Sequence, residues 1–130
     1  MLHYRILKEH KLRVLTFEGG TSISEWREVI LKMRGDPDYS IEQDVLIDVS
    51  RVDEHFSRQD IEQMVSINYP PVLYAIIAPQ EVSFGIARMF DMLSEVRAKT
   101  SVKVFRRWES ALKWLGRDPD AVRKLYLESV

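Results

Sequence analysis

Residues 45–60 read VLIDVSRVDEHFSRQD, an apolar run that ends in an acid and then spills into Asp53, His55, Ser57 and Asp60. A strand with one wet face alternates apolar with polar residues, and Val45-Leu46-Ile47 does not. The run from Val45 to Val49 therefore reads as a strand covered on both faces. Val72–Ala78, VLYAIIA, has the same character. Such strands belong to parallel sheets sandwiched by other elements.

Working outward, Leu2 to Lys8 and Leu12 to Glu18 alternate, and Glu9-His10-Lys11 between them has the length of a hairpin turn, so an antiparallel pair opens the chain. After Gly19-Gly20, Thr21 or Ser22 caps a helix carrying Ile23, Trp26, Val29, Ile30 and Met33, which Gly35 and Pro37 stop. Ser57 precedes a second helical stripe, Ile61, Met64, Val65 and Asn68, ended by Pro70-Pro71. A third helix is expected from about Val82 to Val96, then a short strand over Val102–Phe105. Trp108, Ala111, Leu112 and Leu115 mark a further helix closed by Gly116. Asp118-Pro119 opens a terminal one with Val122, Leu125 and Tyr126.

The order β-β-α-β-α-β-α-β-α-α predicts an α/β fold, a mixed five-stranded sheet that is mostly parallel with an antiparallel edge strand. If the parallel strands are added in sequence order, right-handed crossovers put their helices on one sheet face. The opposite face then needs a cover: the amphipathic tail after Pro119, a second copy of the chain, or a bound apolar ligand.

At 130 residues and 45% hydrophobic, the chain suits one core that buries about two-thirds of the unfolded surface. Its net charge of -1 gives no global attraction to nucleic acid, although acids crowd between Asp36 and Asp60 and bases between Arg97 and Lys124. Cysteine is absent, which removes disulfides, thiolate nucleophiles and thiolate metal sites. No window resembles a signal peptide or a transmembrane segment, so a soluble, cytoplasmic protein is expected.

VLIDVSRVDEHFSRQDI, VSFGIARMFDMLSE and VKVFRRWESALKWL, taken with the order of elements, resemble the SpoIIAA-like family of STAS-type domains, related in fold to anti-sigma-factor antagonists and to lipid-carrying CRAL-TRIO domains. The resemblance runs from the first hairpin to about Gly116. It implies a STAS-like domain over residues 1–116, while the residue pattern makes 117–130 an amphipathic helix packed on it. It further implies sequential strand order, a tendency to form a homodimer and no enzymatic activity; no cofactor is expected. In anti-sigma-factor antagonists a strand like Val45–Asp48 leads to an Asp-Ser-Ser-Gly motif whose first serine is phosphorylated. By that spacing Ser57 is the phosphorylation candidate, with Phe56 in place of the aspartate and Arg58-Gln59 in place of Ser-Gly.

Ser57 with Asp60 also reads as a helix cap and an acid near the positive end of the helix. Ser57 and His55 lie two positions apart on one loop without the glycines of a nucleophile elbow, which leaves a small hydrolase as a further alternative. His3, His10 and His55 have no metal-ligand spacing. Gly19-Gly20 lacks the rest of a phosphate loop, and Arg106-Arg107-Trp108 suits a packed helix start as well as a base-stacking site.

In an open parallel sheet, ligands favour the crevice beyond the carboxyl ends of the strands. That edge carries Asp48 and Ser50, with Phe84 and Arg88 following the next strand; these are the ligand-binding candidates. The expectation is a non-enzymatic binding or regulatory module for a small amphipathic or anionic ligand or a protein partner. Its alternatives are a signalling protein switched at Ser57 and the hydrolase.

Overall fold

The computed structural model describes residues 1–52, 58–65, 71–80, 88 and 101–128. β1 (Leu2–Leu7) and β2 (Leu12–Gly19) form the expected antiparallel pair, joined by a single 3-10 turn over Lys8–His10. Lys11 closes that turn in the left-handed region at φ 49°, its N–H donating to the Lys8 carbonyl at 3.1 Å. Of the two possible caps for α1 (Ile23–Arg34) the chain uses Ser22, whose hydroxyl oxygen accepts from Glu25 N–H at 3.1 Å.

β3 (Asp44–Val52), α2 (Arg58–Val65), β4 (Leu73–Ile77) and β5 (Ser101–Phe105) follow, then α3 (Trp108–Trp114) and α4 (Pro119–Glu128). The helix expected over 82–96 lies, apart from Arg88, outside the described residues. The sheet has five strands in the order β1-β2-β3-β4-β5, antiparallel between β1 and β2 and parallel thereafter. The α/β class and the mixed sheet are thus as the sequence indicates.

Each sheet face has its own core. Trp26, Ile30 and Met33 of α1 and Met64 of α2 pack with Leu15, Phe17, Val45, Val49 and Ile76 on one face. On the other, Ala111 and Leu112 of α3, its capping residue Leu115 and Val122 of α4 pack with Leu7, Leu12, Val14, Leu46, Ala75 and Ile77. This settles which of the three covers the second face receives: α3 and the tail itself. The reason is topological. α1 and α2 each lead to another parallel strand and so stay on one face, whereas α3 follows the last strand and is free to fold back over the other. Leu112 and Val122 are fully buried there, each worth about 1.5–3 kcal/mol relative to exposure.

The turn between the two covering helices is set by Gly116, at φ 75°. Its N–H donates to the Lys113 carbonyl at 3.0 Å, and Arg117 N–H to the Leu112 carbonyl at 2.8 Å. That pair of bonds is a Schellman ending, which needs a residue that tolerates positive φ.

β3 runs further than its apolar stretch. Thr16 of β2 faces Asp48, but Glu18 faces Arg51, so β3 carries an extra residue in this interval. This is a bulge. It brings Val49 and Val52, three positions apart, onto the same core face, where strict alternation would have separated them.

Candidate functional site

The bulge is held by the side chain that precedes it. Asp48 Oδ1 accepts from the Ser50 main-chain N–H at 2.9 Å and from the Ser50 hydroxyl at 2.5 Å. Its other oxygen, Oδ2, accepts from the indole Nε1–H of Trp108 at 3.2 Å. Asp48 is only 8% exposed, and the donors in these three bonds are all neutral groups. Neutral donors take the place of water.

Trp108 reaches Asp48 because α3 begins immediately beyond the carboxyl end of β5. Two contacts bind that end to its neighbour: Ala78 N–H donates to the Phe105 carbonyl at 2.8 Å, and Arg106 Nη1 donates to the Pro79 carbonyl at 2.9 Å. Trp108 is half-buried against the second core, while Arg106 and Arg107 are exposed. On the β2 side, Glu18 pairs with Arg51 at 3.2 Å and stands 4.0 Å from His3.

Of the sequence candidates, Asp48 and Ser50 are brought into direct contact, and Arg88 is helical and exposed. Ser57, Phe84, Asp53 and His55 lie outside the described residues. Trp108 is the partner of Asp48 that sequence spacing did not reveal, because the two are joined across sixty positions of chain. Among the described residues, no group of three or more His, Cys, Asp and Glu side chains could hold a metal ion. No helix among them is long and apolar enough to cross a membrane.

A second buried polar group lies near the amino ends of the strands, on the other face. Arg13 is 3% exposed; its Nη2 donates to the Gln43 carbonyl at 2.9 Å and its guanidinium sits 4.8 Å from the Tyr39 ring centre. Its Nε has no hydrogen-bond partner among the described residues. Burial lowers the Arg13 pKa, and Tyr39 and Tyr74 act against that shift. Burial also pushes the Tyr74 phenol up to about 12, with Arg13 pulling it the other way. A signal for this cluster was present in the sequence: Arg13 has the same alternation phase as Leu15 and Phe17, which puts it on the buried face.

The amino end also holds the shortest ion pair among the described residues. Arg117 Nη1 meets Asp44 Oδ2 at 2.6 Å, and the same guanidinium donates to the carbonyls of His10 and Lys11 at 2.9 Å and to that of Leu115. Asp44 Oδ1 meanwhile accepts from Leu73 N–H at 3.0 Å. This group joins the hairpin turn, β3, β4 and the turn before α4, and its donors and acceptors face one another.

Comparison with known proteins adds no further assignment: no family model matches the chain, and searches of curated proteins and of solved structures found no match.

Proposed function

We propose that the protein is a STAS-like, non-enzymatic binding or regulatory module that receives a small anionic or amphipathic ligand, or a protein partner, at the carboxyl end of its sheet. The observation that carries this reading is the closure of Asp48. A general base must have a lone pair free to meet a substrate proton. Asp48 is only 8% exposed and its oxygens already accept three hydrogen bonds, from the Ser50 N–H, the Ser50 hydroxyl and the Trp108 indole, so little of the carboxylate is open to a substrate proton. The pair acts as a fastening that shapes the edge.

The sequential sheet order and the exposed Arg106 and Arg107 just past β5 support a rim that favours an anionic group. The lack of cysteine suits a cytoplasmic setting.

Native mass spectrometry of gently purified protein, followed by organic extraction, tests the reading. Extra mass that resolves to an anionic or amphipathic small molecule, weakened in Arg106→Ala/Arg107→Ala, is the expected result. Turnover of an ester or phosphoester substrate that disappears in Asp48→Asn would overturn it.

A further inference from the structure

β1 is an outer strand. It pairs with β2 on one side, and among the described residues no strand pairs with the other. Two contacts fix which way its main-chain groups point. Glu18 N–H donates to the Met1 carbonyl at 2.7 Å, so Met1 faces β2, and by alternation so do His3, Arg5 and Leu7. Leu2 N–H donates instead to Glu25 Oε2 at 2.6 Å, so Leu2, Tyr4 and Ile6 present their main-chain groups away from the sheet. Glu25 occupies one of these outward donors. Among the described residues, the outward N–H and C=O of Tyr4 and Ile6 have no main-chain partner. Their half-buried side chains continue the first core to this edge. An unguarded row of this kind is a template for strand addition.

We infer that β1 is a homodimerisation surface, on which β1 of a second copy adds antiparallel across a two-fold axis. The strand reads alike from either end: Leu2-His3-Tyr4-Arg5-Ile6 alternates apolar and basic, so two-fold pairing sets apolar residues against apolar ones. Outward residues must face outward residues, which leaves two central registers. With Tyr4 opposite Ile6, Arg5 meets Arg5 of the second copy in the closer type of pair, placing like charges directly opposite. With Tyr4 opposite Tyr4, Leu2 meets Ile6 and His3 meets Arg5. The second register keeps the two Arg5 side chains from standing directly opposite each other. It pairs the Tyr4 groups reciprocally and gives Ile6 N–H the Leu2 carbonyl while Glu25 keeps the Leu2 N–H. This surface is separate from the carboxyl-end site and does not depend on that site's function.

The absence of native cysteine makes the register directly testable. In the proposed register residues 3 and 5 of opposite copies are about 4.5 Å apart between Cα atoms, within disulfide reach, whereas residue 5 lies roughly 7–8 Å from its own counterpart. Sedimentation equilibrium of the unaltered chain should show a dimer. His3→Cys/Arg5→Cys should form a covalent dimer on mild oxidation, and Arg5→Cys alone should not. Ile6→Pro removes an outward donor without touching the β1–β2 ladder, so it should weaken the dimer by about tenfold or more with unchanged far-UV circular dichroism. A monomer at high concentration with no cross-link in the double variant would overturn the proposal and leave the edge to a strand of a different protein. Cross-linking by Arg5→Cys alone would overturn the register. A dimer that neither cross-links nor responds to Ile6→Pro, with the fold intact, would place the interface elsewhere.

Discussion

Asp44 and Asp48 stand on the same strand and, by alternation, on the same sheet face, yet the two ends of the sheet use them in opposite ways. Asp44 meets a full positive charge: Arg117 pairs with it and also takes carbonyls from the hairpin turn and the end of α3. Among the described residues, Asp48 accepts from neutral donors, a neighbouring residue and an indole. At the amino end the charge pair joins segments distant in sequence and holds the covering helices on the sheet. At the carboxyl end the carboxylate holds a local irregularity of one strand and positions the first residue of one helix. A bulge at a strand end is where folds commonly re-aim side chains toward a site, so this second fastening shapes the rim at little cost to the rest.

The comparison breaks first at Arg117. Arg117→Ala removes the cation that faces Asp44 and one donor to each of the His10, Lys11 and Leu115 carbonyls, and the expected loss is about 3 kcal/mol in urea unfolding, with both terminal helices affected. An effect below a few tenths would show that water replaces the guanidinium freely. Asp48→Ala should cost less, about 2 kcal/mol, because it strands the Ser50 N–H and the Trp108 indole N–H but separates no distant segments. The Trp108 indole resonance should move while the amides of α4 stay in place; movement of the α4 amides instead would erase the distinction between the ends.

Tyr74 supplies a pH test of the amino end on the opposite face. Its phenol has a folded value of about 12 against an ordinary 10.0, so the native chain keeps its proton longer than the unfolded chain does. That contribution is complete below the unfolded value and is lost as pH rises through the folded one. Stability should therefore fall across pH 10.0 to about 12, and Tyr74→Phe should flatten the fall. An unchanged profile would assign the alkaline loss to other groups. The smallest effect is expected for Ser50→Ala, about 1 kcal/mol, since the Ser50 N–H still reaches Asp48 when the hydroxyl is gone. A loss as large as that of Asp48→Ala would show that the hydroxyl, not the main chain, secures the bulge.

The sheet was legible where the residue pattern is local. Alternation in Leu2–Lys8 and Leu12–Glu18, continuous apolarity in Val45–Val49 and Val72–Ala78, and the Gly35 and Gly116 stops correspond to observed elements within a few residues. The pattern stopped short on β3, because Ser50 and Arg51 look like loop residues, and only pairing with β2 across a bulge keeps them in the strand. The candidate site was legible in part. A position at the end of an apolar strand singled out Asp48 and Ser50, but composition carries no sign that they face each other or that Trp108 closes over them. The expected homodimer also loses its original motive, since α3 and α4 already cover the second face. Any pairing of copies must find another surface, such as the outer strand.

By itself the sequence determined the types and order of the described elements and which strands must be buried on both sides, since these follow from periodicity, turn residues and helix ends within a few positions of one another. Only the tertiary structure decided which element covers the second face, that Asp48 is fastened to Trp108, and that Asp44 is matched with Arg117. Each of those is a choice among partners far apart in the chain, made when burial withdraws water and leaves a charge or an apolar surface only the neighbours that the fold brings to it.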